Sequence, residues 1–156
     1  MTRDYKSIYD LNIVREQLTY VDSMSPFLKA MTNLKRLDLS FNYLKRIDPL
    51  ESLRELRELN LSFNRIEEIT NLHKLPNLQI LVLNSNRIKR LENLKTLRKL
   101  EILSLSGNLL EELAVFNTTE PMIELKEINV ARNLITTVKL LNQFPNVSVF
   151  TVIVYS

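Results

Sequence analysis

The chain has 156 residues, of which 45% are hydrophobic, and its formal net charge is +3. This composition suits one domain with a continuous core, and the sequence has no apolar run of the roughly 20 residues that a membrane span requires. The absence of cysteine excludes disulfides and thiolate sites, and a single histidine, His73, cannot build a zinc site, so we expect a soluble cytoplasmic protein without metal or cofactor.

The first predicted element is an irregular unit that begins at residue 8. The stretch IYDLNIVREQLTYV at 8–21 aligns without a gap with LRELNLSFNRIEEI at 56–69, but Glu16 stands where the later stretch has Asn64. The unit also carries Tyr9, Tyr20 and extra residues around 25–26. We expect it to cap the N-terminal end of a stack that the later units build.

Five regular units follow, which share the pattern L-x-x-L-x-L-x-x-N-x-L and begin at Leu34, Leu56, Leu78, Leu100 and Leu125. Their asparagines lie at 42, 64, 86, 108 and 133, and this nearly constant spacing of 22, 22, 22 and 25 residues indicates a repeat protein. A partial unit begins at residue 147. We predict a single repeat domain over residues 1–156.

Each unit contains two different periods. Leucines that alternate with other residues predict a short strand with its leucines pointing inward. The later spacing of Leu72, Leu75 and Leu78 predicts a 3₁₀ or irregular helical turn on the return leg. Stacked units then form an α/β solenoid with a concave parallel sheet. Because the asparagine amide both donates and accepts, we expect it to satisfy backbone groups of its own coil and of the neighbouring coil.

These units resemble the 22-residue class of intracellular leucine-rich repeats, which occurs in the regulatory subunit of protein phosphatase 1, the spliceosomal A-prime protein, the axonemal dynein light chain and several centrosomal proteins. The resemblance covers residues 8–155. It implies a right-handed leucine-rich repeat solenoid that binds other macromolecules in a phosphatase-regulatory, cytoskeletal, centrosomal, ciliary or nuclear setting.

The C-terminal stretch VSVFTVIV at 147–154 has no charge, proline or glycine, and such a β-prone window aggregates when it is exposed. Many members of the family continue into a cap with a tyrosine–arginine pair, whereas this sequence stops at Tyr155 and Ser156. We expect this stretch to be covered, either because the sequence is a piece of a longer protein or because two copies associate through the strand.

The third, fifth and seventh positions of each unit are predicted to face the concave side. At the third and fifth positions most units carry polar residues, but the middle units carry Ile80, Val82 and Ile102. We expect these three residues to form one exposed apolar island that a partner protein's helix or loop covers. The alternative is that they are ordinary strand residues, since β-branched side chains suit strands.

Two further positions carry residue types that are enriched at protein interfaces. The eighth position holds Phe41 and Phe63, and the tenth holds Tyr43, Arg65 and Arg87. We predict that all five contact the partner. The alternative for the phenylalanines is packing between successive turns at the sheet edge.

Residues 34–99 hold 14 Lys and Arg against eight Asp and Glu. Charged pairs at the twelfth and thirteenth positions alternate in sign, as in Lys45-Arg46 and Glu67-Glu68, and we expect them to favour the correct stacking register. Because one glycine, Gly107, leaves no phosphate-binding loop, we do not expect an enzyme. The leading hypothesis is a non-catalytic scaffold, and the alternative is a ribonucleoprotein component that contacts RNA through the basic middle units.

Overall fold

The computed structural model describes residues 5–21, 25–48, 50–113, 121–138 and 144–152. A 3₁₀ helix at Tyr5–Ser7 and helix α1 at Ser25–Ala30 lie near the N-terminus. The strands of the described residues are β1 Asp10–Asn12, β2 Arg36–Asp38, β3 Glu58–Asn60, β4 Ile80–Val82, β5 Ile102–Ser104, β6 Glu112–Leu113, β7 Glu127–Asn129, β8 Thr137–Val138 and β9 Val149–Thr151.

Within the described residues, the seven three-residue strands form one parallel sheet in the order β1-β2-β3-β4-β5-β7-β9. We number the coils 1 to 7 from the first residues of the units at 8, 34, 56, 78, 100, 125 and 147, and we number positions from that residue. Residues at the same position of successive coils are strand partners, as Arg36, Glu58 and Ile80 are. The predicted α/β solenoid with a parallel sheet is confirmed.

The leucines of the repeat pattern form one hydrophobic core. At the first position of coils 2 to 6, no leucine is more than 1% exposed. Because successive strands of a sheet lie only about 4.8 Å apart, each coil buries its leucines against those of its neighbours. The inward orientation that the alternating pattern predicts is therefore confirmed.

The return legs consist of tight turns. Leu75 N donates to Leu72 O at 3.0 Å and Leu78 N donates to Leu75 O at 3.3 Å, which is the i to i+3 pattern of a 3₁₀ turn. A second parallel pairing of β6 with β8 was not expected from the sequence. The extra residues around 25–26 begin helix α1. The unit that begins at Leu100 also has extra residues at 117–121, most of which lie outside the described residues, as do residues 153–154 at the end of the C-terminal stretch.

Buried asparagines at the ninth position join each coil to the preceding one. Asn86 Nδ2 donates to Leu61 O at 2.9 Å in the preceding coil and to Leu83 O at 3.1 Å in its own coil. Asn86 Oδ1 accepts from Ile66 N of the preceding coil at 2.9 Å. The same pattern recurs at Asn42, Asn64, Asn108 and Asn133. This asparagine ladder confirms the predicted role. Among the described residues no coil precedes coil 1, so Glu16 has no preceding coil to bind, and the carbonyl of Ile13 in its own coil accepts from Asn42 Nδ2.

The eighth position has a left-handed backbone conformation in coils 1 to 6. The residues with positive φ at this position are Arg15, Phe41, Phe63, Ser85, Gly107 and Arg132. The amide of this residue donates to the next coil, as Phe63 N does to Asn84 O, whereas the tenth-position amide donates to the preceding coil, as Arg65 N does to Leu44 O. The chain reverses its hydrogen-bonding direction here, and glycine tolerates that geometry best.

Coil 1 is held to coil 2 by surface pairs as well as by apolar packing. Lys35 Nζ lies 5.2 Å from the centre of the Tyr9 ring, and Arg46 Cζ lies 5.6 Å from the centre of the Tyr20 ring. At the start of this coil the apolar residues, Ile8, Leu11, Ile13 and Leu18, are only partly buried against the core, whereas Val21, Leu28 and Met31 further along are buried in it. These contacts support the predicted capping role of the first unit.

The first prediction concerns the asparagine ladder. Replacing Asn86 by leucine leaves the buried amide of Ile66 without its acceptor and removes one of two amide donors from the carbonyls of Leu61 and Leu83, so Asn86→Leu should lower the free energy of unfolding by about 1–3 kcal/mol. Urea-induced unfolding followed by circular dichroism measures the loss.

Asn77→Leu is the matched control for the ladder variant, because the hydrogen bonds of Asn77 are exposed. Its amide donates to Arg54 O at 2.9 Å and accepts from Lys99 Nζ at 2.7 Å. Water can replace both bonds, so the control should lose far less stability. Equal losses in the two variants would contradict a special role of the ladder.

The second prediction concerns the left-handed position. Gly107 has a φ of +70°, and an added Cβ would lie 3.4 Å from Ser85 Oγ, so backbone strain rather than a severe clash opposes substitution. Gly107→Ala should lower the free energy of unfolding by about 1–2 kcal/mol. Gly107→Asn should cost less, since asparagine tolerates this conformation. Thermal melting compares them, and an alanine variant at least as stable as the asparagine variant would refute the explanation.

Candidate functional site

An apolar patch lies in the middle of the concave sheet, on β4 and β5. Ile80 and Ile102 are direct strand partners, and Val82 lies two residues along β4 on the same face. We call these three residues the concave patch. All three are half-buried, so the apolar island exposes less surface than the sequence analysis expected. Their side chains shield one another across the strands, and a partner would bury only the remaining surface.

The concave patch borders a hollow of about 280 Å³ in the sheet surface. On its N-terminal side the third position becomes charged: Arg36 Nε donates to Asp10 Oδ1 at 2.6 Å, and Arg36 Nη1 lies 3.9 Å from Glu58 Oε1. The hydrogen bond from Arg36 holds the pKa of Asp10 below its usual value. Opposite charges thus meet along one column of the sheet beside the apolar residues.

A second polar network lines the same hollow at the fifth position. Asn60 Nδ2 donates to Asp38 Oδ2 at 2.9 Å. Asn60 Oδ1 accepts from the backbone and the hydroxyl of Ser62, at 3.1 and 2.7 Å. Ser62 and Ser40 are buried at the seventh position, as is Ala131. The small seventh-position side chains of these coils are therefore enclosed within the protein.

Aromatic side chains lie at the sheet edge, on the turns that follow β2 and β3. The rings of Phe41 and Phe63 are stacked, with centroids 4.2 Å apart and planes within 10°. Arg15 Cζ lies 4.8 Å from the centre of the Phe41 ring. We call these three residues the edge stack. Both phenylalanines remain exposed, at 40% and 48%. The rings pack between successive turns, as the alternative interpretation expected, and they still present surface to solvent.

The tenth position forms a parallel arrangement beside the edge stack. Arg65 Cζ lies 4.6 Å from the centre of the Tyr43 ring, and Arg87 follows one coil further on, exposed. The structure therefore brings the predicted binding residues together in two groups. The concave patch lies on the strands, and the aromatic and arginine residues lie on the turns at the strands' carboxyl ends.

The alternating charges at the twelfth and thirteenth positions do not all join neighbouring coils. Arg46 Nε binds Asp48 Oδ1 of its own coil at 2.9 Å. The ion pair between Lys126 Nζ and Glu101 Oε2, at 2.6 Å, instead lies at the second position. Glu101 raises the pKa of Lys126, chiefly through this hydrogen bond.

Sequence reasoning did not single out Arg15 or the charged pair of Asp10 and Arg36. Arg15 and Phe41 occupy the same position in neighbouring coils, and so do Asp10 and Arg36. An alignment of the units therefore predicts that the two side chains of each pair are neighbours. Among the described residues, no group of three or more His, Asp or Glu side chains is arranged to hold a metal ion. That same part of the chain contains no helix with the length and apolar character needed to cross a bilayer.

Comparison with known protein families gives one result. A family model described as leucine-rich repeats in two copies matches residues 32–74 and again residues 76–118, together more than half of the chain. A search of curated protein sequences finds no match.

Solved structures of similar shape are also leucine-rich repeat proteins. An internalin of Listeria monocytogenes superposes with a TM-score of 0.68 at 19% identity, over 91% of this chain and 47% of the internalin. A leucine-rich repeat protein of Leptospira interrogans superposes with a TM-score of 0.69 at 23% identity, over 96% of this chain and 45% of that one. The chain thus spans less than half of each, and the likeness shows the fold. With the family match and the asparagine ladder, it follows that this chain belongs to the leucine-rich repeat family.

Proposed function

We propose that this protein is a non-catalytic scaffold whose concave face binds a helix or loop of a partner protein. Leucine-rich repeat proteins typically act by binding other proteins rather than by catalysis. In the proposed complex the concave patch makes the central contact. The surrounding contacts come from Phe41, Phe63, Tyr43, Arg65 and Arg87.

The observation that carries this proposal is the direct pairing of Ile80 with Ile102 beside Val82. In coils 1 to 3 the same two positions hold only charged or amide side chains, and some of these bind one another, as Arg36 binds Asp10 and Asn60 binds Asp38. In the middle coils those polar pairings are replaced by apolar surface. An apolar centre with a polar rim is the usual organisation of a protein interface.

The cellular setting is proposed from the family resemblance alone. The proposed setting is the cytoplasm, with the cytoskeleton, centrosome, cilium or a phosphatase complex as candidate sites and the nucleus as another. A fluorescently tagged copy tests this directly, and a purely extracellular distribution would contradict it.

The third prediction uses Ile80→Glu/Val82→Asn, which copies onto coil 4 the residues that coil 3 carries at the same positions, Glu58 and Asn60. The fold should tolerate this change, because the introduced asparagine can accept from the backbone two residues on, as Asn60 does. Losing the apolar centre of the interface should weaken binding of a partner captured from lysate and then purified by at least about tenfold.

The matched control is Ile123→Glu, which places the same charge on an isoleucine that is 55% exposed on the return side of the coil. This control should bind the purified partner like the wild type. Isothermal titration calorimetry measures all three proteins after circular dichroism has shown equal melting. Full retention of binding in the concave variant would refute the proposal.

The ribonucleoprotein alternative rests on the excess of basic residues in 34–99. Several of these are already engaged by carboxylates, such as Arg36 with Asp10 and Arg46 with Asp48, which leaves a discontinuous basic surface. If RNA is the ligand, its affinity should fall steeply between low and moderate salt. Filter binding of a single-stranded RNA over a salt series tests this, and absence of binding at moderate salt would end the alternative.

A further inference from the structure

The edge stack is closed at one end and open at the other. Arg15 covers the outer face of Phe41, and Phe41 covers one face of Phe63. At the same position of the next coil stands Ser85, whose side chain is too short to cover a phenyl ring, and Gly107 follows in the coil after that. Among the described residues, no other ring or cationic group stacks on Phe63. One face of the Phe63 ring is therefore free.

The spacing of the coils makes this free face a stacking position. Phe41 and Phe63 belong to adjacent coils, and their ring centroids lie 4.2 Å apart. A planar group held beside Ser85 would therefore stack on the free face of Phe63 in the same way that Phe63 stacks on Phe41. Offset-stacked aromatic rings attract one another beyond the gain from area burial.

Backbone strain makes the presence of the two phenylalanines informative. Their φ angles are +57° and +56°, and a side chain as large as phenylalanine rarely adopts this conformation. Coil 5 meets the same backbone requirement with Gly107. Two phenylalanines are thus kept where glycine suits the backbone better, and both are left exposed.

The charges around the free face of Phe63 indicate which kind of ligand binds there. Positions seven to ten of coils 2 to 6 contain no acidic residue, but they contain Arg65, Arg87 and Arg132. Among the described residues, no carboxylate forms an ion pair with Arg65 or Arg87. A cationic ligand would be repelled here, and an aromatic ligand next to carboxylates would be attracted.

We propose that an aromatic side chain within an acidic segment of a partner protein stacks on the free face of Phe63, with its neighbouring carboxylates against Arg65 and Arg87. This inference rests on the proposed scaffold function and names the chemistry of the partner at the sheet edge. A nucleic acid fits less well. It needs successive stacking platforms along a continuous basic groove, whereas the adjoining concave surface carries Asp38, Glu58 and the apolar concave patch.

The fourth prediction uses a blocked peptide, Glu-Asp-Trp-Glu-Asp, as the probe. The protein has no tryptophan, so the fluorescence of the peptide's indole reports binding without interference. The probe should bind the wild type, and a peptide with leucine in place of tryptophan should bind at least about threefold more weakly because it cannot stack. The Arg87→Gln variant should also weaken binding of the tryptophan probe. Absence of binding to the wild type would overturn the proposal.

The decisive variant is Phe41→Gly/Phe63→Gly, which removes both rings so that neither can replace the other. Glycine favours the conformation that both positions adopt, so this variant should melt like the wild type. Its affinity for the tryptophan probe should fall about tenfold. Gln17→Gly/Arg132→Gly is the matched control, because it places glycine at two other left-handed positions and leaves both rings, Arg15 and Ser85 in place. Equal affinity of the two double variants would overturn the proposal.

Two further measurements distinguish failure of the stacking proposal from failure of the proposed concave interface. Ile80→Glu/Val82→Asn should bind the peptide like the wild type, since it leaves the edge stack intact. If that variant still captures the partner while the glycine variant loses the peptide, the concave proposal fails and the stacking site stands. A single-stranded oligouridylate that binds more tightly than the peptide, and loses affinity in the glycine variant, would overturn the peptide assignment in favour of nucleic acid.

Discussion

The structure depends on one constraint: every coil must turn a corner with its backbone buried, and the asparagine ladder satisfies that backbone. A three-residue strand makes too few backbone hydrogen bonds with its neighbours to fix the alignment of the coils by itself. Each asparagine supplies donors to two carbonyls and an acceptor to one amide across two coils, as Asn86 does for Leu61, Leu83 and Ile66. Leaving such buried groups unpaired costs more than a typical hydrogen bond gains. The ladder therefore fixes the register, and the register decides which side chains become neighbours.

Once the register is fixed, side chains at equal positions meet in columns across the surface. The same rule produces the ion pair of Asp10 with Arg36, the stack of Phe41 on Phe63 and the contact of Arg65 with Tyr43. These pairs are separated by a full repeat in sequence but by one strand spacing in space. The surface of this protein consequently consists of short columns of side chains at equal positions. The polarity or charge along a column changes where the residue of one coil differs from that of the coil before it.

Much of this organisation could be predicted from the sequence, because an in-register pattern leaves little freedom. The leucine positions, the strands and the double role of Asn86 follow from periodicity and amide chemistry. The left-handed backbone at the eighth position could not be predicted, since Arg15, Phe41 and Ser85 have no common side-chain property that favours this conformation. The half-burial of Ile80 and Val82 was also inaccessible, because it depends on how closely neighbouring side chains of a curved sheet approach.

The equal register of the coils also has a consequence for how such a protein changes over generations. Each middle coil carries its own leucines and its own asparagine, so the loss or duplication of one whole 22-residue unit leaves every interior contact type in place. On the surface, however, different side chains would become neighbours within each column. Without coil 3, for example, Phe41 would adjoin Ser85, and Arg36 would adjoin Ile80. Recombination between units can therefore produce new outer surfaces in a single step while the interior remains the same.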